Sequence, residues 1–164
     1  MAKHPVADIR NVAFIGHGAV GKTTLCDLML FKSGAVSRAG TVDDGTSVLD
    51  ADDDAKHHKH SITSTVIHFD HAGKHINVID TPGYPDFIGQ VNGALRAVET
   101  AVVTLSAGAG IEVNTRRTFH LAGDAKMGRM VVVNKCDLDN INLNGLLESI
   151  RATFAFSAAM RGAA

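Results

Sequence analysis

Short runs of β-branched and other apolar residues recur along the chain, and between most of them apolar positions return at helical spacing. Residues 10–15, Thr65–Phe69, His75–Ile79, Ala101–Leu105 and Arg129–Val133 read as strands. Residues 22–32, 86–98, 113–126 and 143–152 read as helices, the second carrying Phe87, Val91, Ala94, Leu95 and Val98 along one side. The second and third strands are separated only by His71, Ala72, Gly73 and Lys74, a length that suits a hairpin and not a helical crossover. The pattern therefore predicts an α/β fold: a mainly parallel twisted sheet with one antiparallel edge strand and helices on both faces. A polar stretch between about residues 34 and 62 lacks either periodicity and reads as mobile.

Composition narrows the picture. With 164 residues, 45% hydrophobic and 20% charged, the chain fits one globular domain over residues 1–164 with a single core. A net charge of −1 supplies no long-range attraction for nucleic acid, so direct DNA binding is not expected, and any RNA contact would need a local patch. Cys26 and Cys136 have no pairing pattern and read as reduced thiols. The N-terminal residues have no signal-peptide core, and no apolar run is long enough to span a bilayer, so a soluble cytoplasmic protein is expected, with no membrane partner.

The chemistry begins at residues 16–23, GHGAVGKT, directly after the first strand. Backbone N–H groups can surround a polyanion only where no Cβ blocks them, which accounts for Gly16, Gly18 and Gly21. The loop from His17 through Gly18, Ala19 and Val20 to Gly21 would cradle the phosphates, and the following helix, with Thr24 near its start, would turn its N-terminus to the anion. Lys22 would reach the β and γ phosphates, and the Thr23 hydroxyl would ligate magnesium.

Two further motifs stand at strand ends. In Asp80-Thr81-Pro82-Gly83 the carboxylate is placed to hold magnesium through a water, while Gly83 can offer its N–H to a γ phosphate. In Asn134-Lys135-Cys136-Asp137 the Asp137 carboxylate can accept from both the ring N–H and the exocyclic amine of guanine, and the stem of Lys135 can cover the base. Adenine lacks those donors, and an unpaired carboxylate would cost roughly 2–5 kcal/mol. An ATP-using phosphate-loop protein is thereby disfavoured.

The order of these motifs marks a GTP-binding domain. With the stretches NVAFIGHGAVGKTTL, GKHINVIDTPGYPDFIGQV and GALRAVETAVVTLSAGAGIEVNTRR, residues 9–152 resemble the GTPase domain of translational GTPases, closest to elongation factor G and its G-like relatives. The resemblance implies a Ras-like phosphate-loop fold, GTP/GDP and Mg²⁺ as cofactors, GTP hydrolysis and the ribosome as partner. It also implies catalytic roles for Lys22, Gly83, the residue after Gly83, and a switch hydroxyl that ligates magnesium. Counting back from Asp80 places that hydroxyl at Ser61, with Thr63 as the alternative two residues on.

Departures from the family pattern bear on catalysis. Tyr84 stands where classical members have a histidine thought to orient the attacking water, and a phenol supplies a hydrogen bond only. Ala19 replaces a phosphate-loop aspartate, and His58 and Lys59 replace the arginine and glycine before the switch hydroxyl. Slow hydrolysis unless a partner stimulates it is one expectation; a GTP/GDP-responsive binding switch with negligible hydrolysis is the other. Ser157 and Ala158 match the family's guanine-contacting Ser-Ala, with a short strand expected at Thr153–Phe156 before them, and the later domains of the family are absent from this sequence. His57, His58, His60, His68, His71 and His75 crowd one region, but His58 and His60 fall in the polar stretch and His71 in a hairpin turn, so a zinc site is not expected. Asp50, Asp52 and Asp54 begin like a calcium loop, yet Ala55 and Ser61 replace its glycine and closing glutamate.

Overall fold

A computed structural model describes residues 4–42, 44–49 and 62–154. The five strands are β1 (Ile9–Gly16), β2 (Thr65–His71), β3 (Lys74–Asp80), β4 (Thr100–Ser106) and β5 (Gly128–Asn134). The helices are α1 (Lys22–Lys32), α2 (Ile88–Leu95), α3 (Val113–Asp124) and α4 (Leu143–Phe154). The sheet order is β2-β3-β1-β4-β5, with β2 antiparallel to β3 and every other neighbouring pair parallel. The expected fold class is therefore observed. Two residues, Ala72 and Gly73, close the β2–β3 hairpin with φ of 49° and 74°, the paired left-handed conformation that matches strand twist.

Alternation along the strands sends side chains into two cores. Phe14, Val78 and Val102 meet Cys26 and Leu30 of α1 on one face. Ala13, Ile15, Ala101, Val103 and Leu105 meet α2, α3 and α4 on the other. There Phe119 stacks on Phe154 at 3.9 Å between centroids, and the Arg129 guanidinium lies 4.2 Å over the Phe119 ring. Burial at this scale, about 25 cal/mol per Å² of apolar surface, is what fixes the register of a sheet whose strands would otherwise slip.

Three expectations change. The strand expected at Thr153–Phe156 is not formed by its first two residues: Phe154 is buried in the α2–α4 core, and α4 runs through it. Residues 155–164, including Ser157 and Ala158, lie outside the described residues. The polar stretch is partly anchored, because buried Leu49 packs in the α1 core, Val48 N–H donates to Asp27 at 3.2 Å, and Thr65 Oγ1 donates to the Leu49 carbonyl at 3.1 Å. Ser61, His57, His58, His60 and the Asp50, Asp52 and Asp54 set lie outside the described residues. Finally, the helix expected over 86–98 is a 3-10 turn, Pro85–Phe87, followed by the shorter α2, which leaves Tyr84 in extended backbone at its entrance.

The outer face of the hairpin explains the remaining histidines. Asp70 and His75 face each other across β2 and β3, with His75 Nδ1 2.7 Å from Asp70 Oδ1, and the His4 ring stacks on His75 at 4.4 Å. Ligating atoms of His4, Asp70 and His75 lie within 4.8 Å of one another. The two rings are nearly parallel, at 17°, so their in-plane lone pairs run side by side and do not converge on one point. The group is a hydrogen-bonded and stacked cluster on the hairpin.

Candidate functional site

From β1 the chain passes through α1 to the β2–β3 pair on one side, and β4 and β5 follow on the other, so the strand order reverses at β1. Ligands of open α/β sheets bind at the carboxyl ends of the strands beside such a reversal. The three sequence motifs all leave strands at this end: Gly16 closes β1, Asp80 closes β3 and Asn134 closes β5.

The phosphate loop is shaped by contacts that exclude side chains. A Cβ on Gly16 would lie 2.3 Å from the Thr104 carbonyl oxygen, and Gly16 has a φ of 140°. Gly21, at φ 90°, caps α1 without a side-chain hydrogen bond and leaves the first helical N–H groups directed at the loop. Lys22 is buried and donates to the His17 carbonyl at 2.8 Å. Burial pushes its ammonium below the ordinary lysine value, opposed chiefly by the charge of Asp80. A polyanion beside this buried cation would supply the compensation that burial removes.

Thr23 and Asp80 come together, Thr23 Oγ1 donating to Asp80 Oδ2 at 2.5 Å. A hydroxyl and a carboxylate converging next to the loop form an oxygen-only donor set, which fits magnesium. Gly83 rests directly on the phosphate loop: an added Cβ would lie 2.5 Å from Lys22 Nζ, 2.5 Å from the His17 oxygen and 2.6 Å from the Gly18 nitrogen. Tyr84, half-exposed, lays its ring over Gly18, where a Cβ would come within 3.3 Å of it.

The base motif is tied to the same loop. Asn134 Nδ2 donates to the Val20 carbonyl at 2.9 Å, and Lys135 Nζ donates to the Ala19 carbonyl at 2.8 Å. Lys135 and Ala19 both adopt left-handed backbone, with φ of 58° each, which turns their carbonyls and side chains into this contact. Asp137 is exposed at the rim, as is Thr24 on α1, while the Val20 side chain is buried under the loop.

Matching this geometry, residues 7–163 fit the model of the family described as elongation factor Tu GTP binding domain. The chain belongs to that family. Within this GTP-binding family it is 37% identical over 147 residues to the mitochondrial ribosome-releasing factor 2 of Bos taurus, covering 90% of this chain and 19% of that relative. It is 33% identical over 151 residues to elongation factor G 2 of Streptomyces coelicolor, covering 92% and 22%. A solved structure from Thermus thermophilus superposes with a TM-score of 0.86 at 41% identity, covering 90% of this chain and 22% of that one. The chain thus spans about a fifth of the length of these relatives, in the part that makes a G domain of the elongation factor G-like kind. Among the described residues no helix is long and apolar enough to cross a membrane.

Asn114 and Glu112, which lie in no motif, reach the motif residues, and Thr81 ties its motif to β1. Asn114 Nδ2 donates to the Gly83 carbonyl at 2.7 Å, His17 Nε2 lies 3.4 Å from Glu112 Oε1, and buried Thr81 donates through Oγ1 to the Phe14 carbonyl at 2.7 Å. One signal for Asn114 exists in the sequence: with Thr115, Thr118, Phe119 and Ala122 it lies on the stripe of α3 that periodicity turns inward.

Proposed function

We propose that the domain binds Mg-GTP and GDP, with guanine selected by Asp137, and hydrolyses GTP slowly unless a partner such as the ribosome stimulates it. The observation that carries this reading is the pair of bonds from Asn134 and Lys135 to the Val20 and Ala19 carbonyls, which supports reading the base motif and the phosphate loop as two ends of one site. Lys22 and the loop N–H groups from His17 to Thr24 would hold the phosphates, and Gly83 would offer its N–H to the third. Thr23 and Asp80 would hold magnesium, with Ser61 as the further hydroxyl ligand, and the ion would supply charge neutralisation to the phosphates. Ser157 and Ala158 would complete the guanine contact.

Positioning and charge compensation are most of what phosphoryl transfer requires, so these groups support turnover on the order of 10⁻⁴ per second without a partner. The position of Tyr84 favours a second reading, a GTP/GDP switch with negligible hydrolysis, because its ring covers Gly18 where a histidine would orient water. Titration with GTP, GDP, ATP and xanthine nucleotide tests the ligand; equal affinity for ATP and GTP rejects the guanine assignment. Phosphate release with and without ribosomes tests the chemistry, and release no greater than that of Lys22→Ala under both conditions leaves the switch reading.

A further inference from the structure

The side chain of Asn114 is buried at the start of α3, in a position where a helix-start asparagine ordinarily turns outward or caps its own helix. It does neither. Its amide donates to the Gly83 carbonyl at 2.7 Å, its Oδ1 has no hydrogen-bond partner among the described residues, and Glu112 forms no side-chain cap on α3. The Gly83 contact is therefore the hydrogen bond that this buried amide makes. Gly83 itself is seated against Lys22 Nζ, the His17 oxygen and the Gly18 nitrogen, so the bond from α3 fixes the loop in contact with the phosphate loop.

We propose that Asn114 is a positioning residue that holds Gly83 in this seat and thereby favours a nucleotide with a γ phosphate over one without it. The inference rests on the guanine-nucleotide reading above. A ligand shifts a two-state loop only by its differential affinity for the two states. GTP would touch both Lys22 and Gly83, whereas GDP ends short of Gly83, so a pre-seated Gly83 lowers the cost of binding GTP alone. When Gly83 leaves, the buried amide loses its acceptor, and this penalty opposes the departure. Glu112, two residues before, approaches His17 of the phosphate loop, so the same turn of chain touches both walls of the seat.

The test compares wild type, Asn114→Ala and Asn114→Ser, whose hydroxyl is too short to reach Gly83, with Thr118→Val. Thr118 lies one turn along α3, donates to the Asn114 carbonyl at 2.9 Å, and serves as the control for lost packing and polarity in the same helix. Affinities for fluorescent GDP and a non-hydrolysable GTP analogue are measured on each. The expected result is a three- to tenfold fall in the preference for the GTP analogue in both Asn114 variants, with GDP affinity within about twofold of wild type, as one net hydrogen bond allows. Tyr84 is the chain's single tyrosine and there is no tryptophan, so acrylamide quenching of its fluorescence reports the adjoining loop directly. Quenching is expected to rise in the Asn114 variants and not in Thr118→Val. An unchanged preference, or equal losses for both nucleotides matched by Thr118→Val, overturns the role of Asn114 while leaving the nucleotide reading intact. Wild-type protein that binds neither nucleotide overturns both.

Discussion

The two ends of the site are built on opposite plans. At the phosphate end the working groups are buried and interlocked: Lys22 under the loop, Thr23 against Asp80, Gly83 on Gly18 and Asn114 behind Gly83. At the base end Asn134 and Lys135 face inward as struts, and Asp137 stands exposed at the rim. Groups that hold a triphosphate must be preorganised, because charge stabilisation depends on donors that need no rearrangement. Discrimination between bases needs only one carboxylate whose partners are present or missing. The phosphate end should therefore couple binding to stability, and the base end should leave them separable.

Lys22→Ala should give the largest change, a loss of at least about a hundredfold in affinity for both GTP and GDP, since it removes a buried charge whose proposed counterpart is the phosphate chain. Calorimetric titration measures it; an affinity within tenfold of wild type would break the assignment of the phosphate end. Asp137→Asn should lower GTP affinity by about 30-fold or more and improve xanthine nucleotide relative to guanine, with Tm unchanged because the residue is exposed. A melting temperature that falls with Asp137→Asn would erase the contrast between the two ends.

Gly16→Ala probes the point where the phosphate loop meets β4. With Thr104 O at 2.3 Å from the added Cβ and a φ of 140°, the expected cost is about 3 kcal/mol, seen as a fall in Tm of about 6–12 °C. Thermal melts that match wild type would show that the strand end yields without loss. The smallest effect is expected at the opposite end of β1, where the Lys74 hydrogen bond and charge hold the Asp8 carboxyl below the usual carboxylate range. Since the folded value is the lower one, this contribution is present above the unfolded pKa near 4 and fades as pH falls through the folded value. Asp8→Asn should thus flatten the stability loss on acidification below about pH 4 and leave nucleotide affinity untouched. Urea midpoints at pH 6 and pH 3 measure the first, and a shift in GTP affinity would contradict the separation.

Strand positions were legible because alternation such as Phe14 and Val102 against Ile15 and Val103 is a local pattern, and the short linker at Ala72–Gly73 specified the hairpin. The glycines of the phosphate loop were legible because each answers a steric demand that only glycine meets. Asn114 was not, since its partner lies 31 residues away and a polar helix start ordinarily signals solvent. The end of α4 was misread because Thr153 and Phe154 have strand-like composition, while Phe154 stacking on Phe119 decides for helix. Propensity yields to packing at such positions.

The contrasting surroundings of the two cysteines give the domain a built-in chemical footprint. Cys26 is fully enclosed on the inner face of α1, where burial pushes its thiol up, and Cys136 is exposed inside the base motif between Lys135 and Asp137. An alkylating reagent should mark Cys136 alone in the folded protein, more slowly when a base covers it, and should reach Cys26 only on unfolding. Occupancy and integrity can then be read from the masses of two peptides in a single digest.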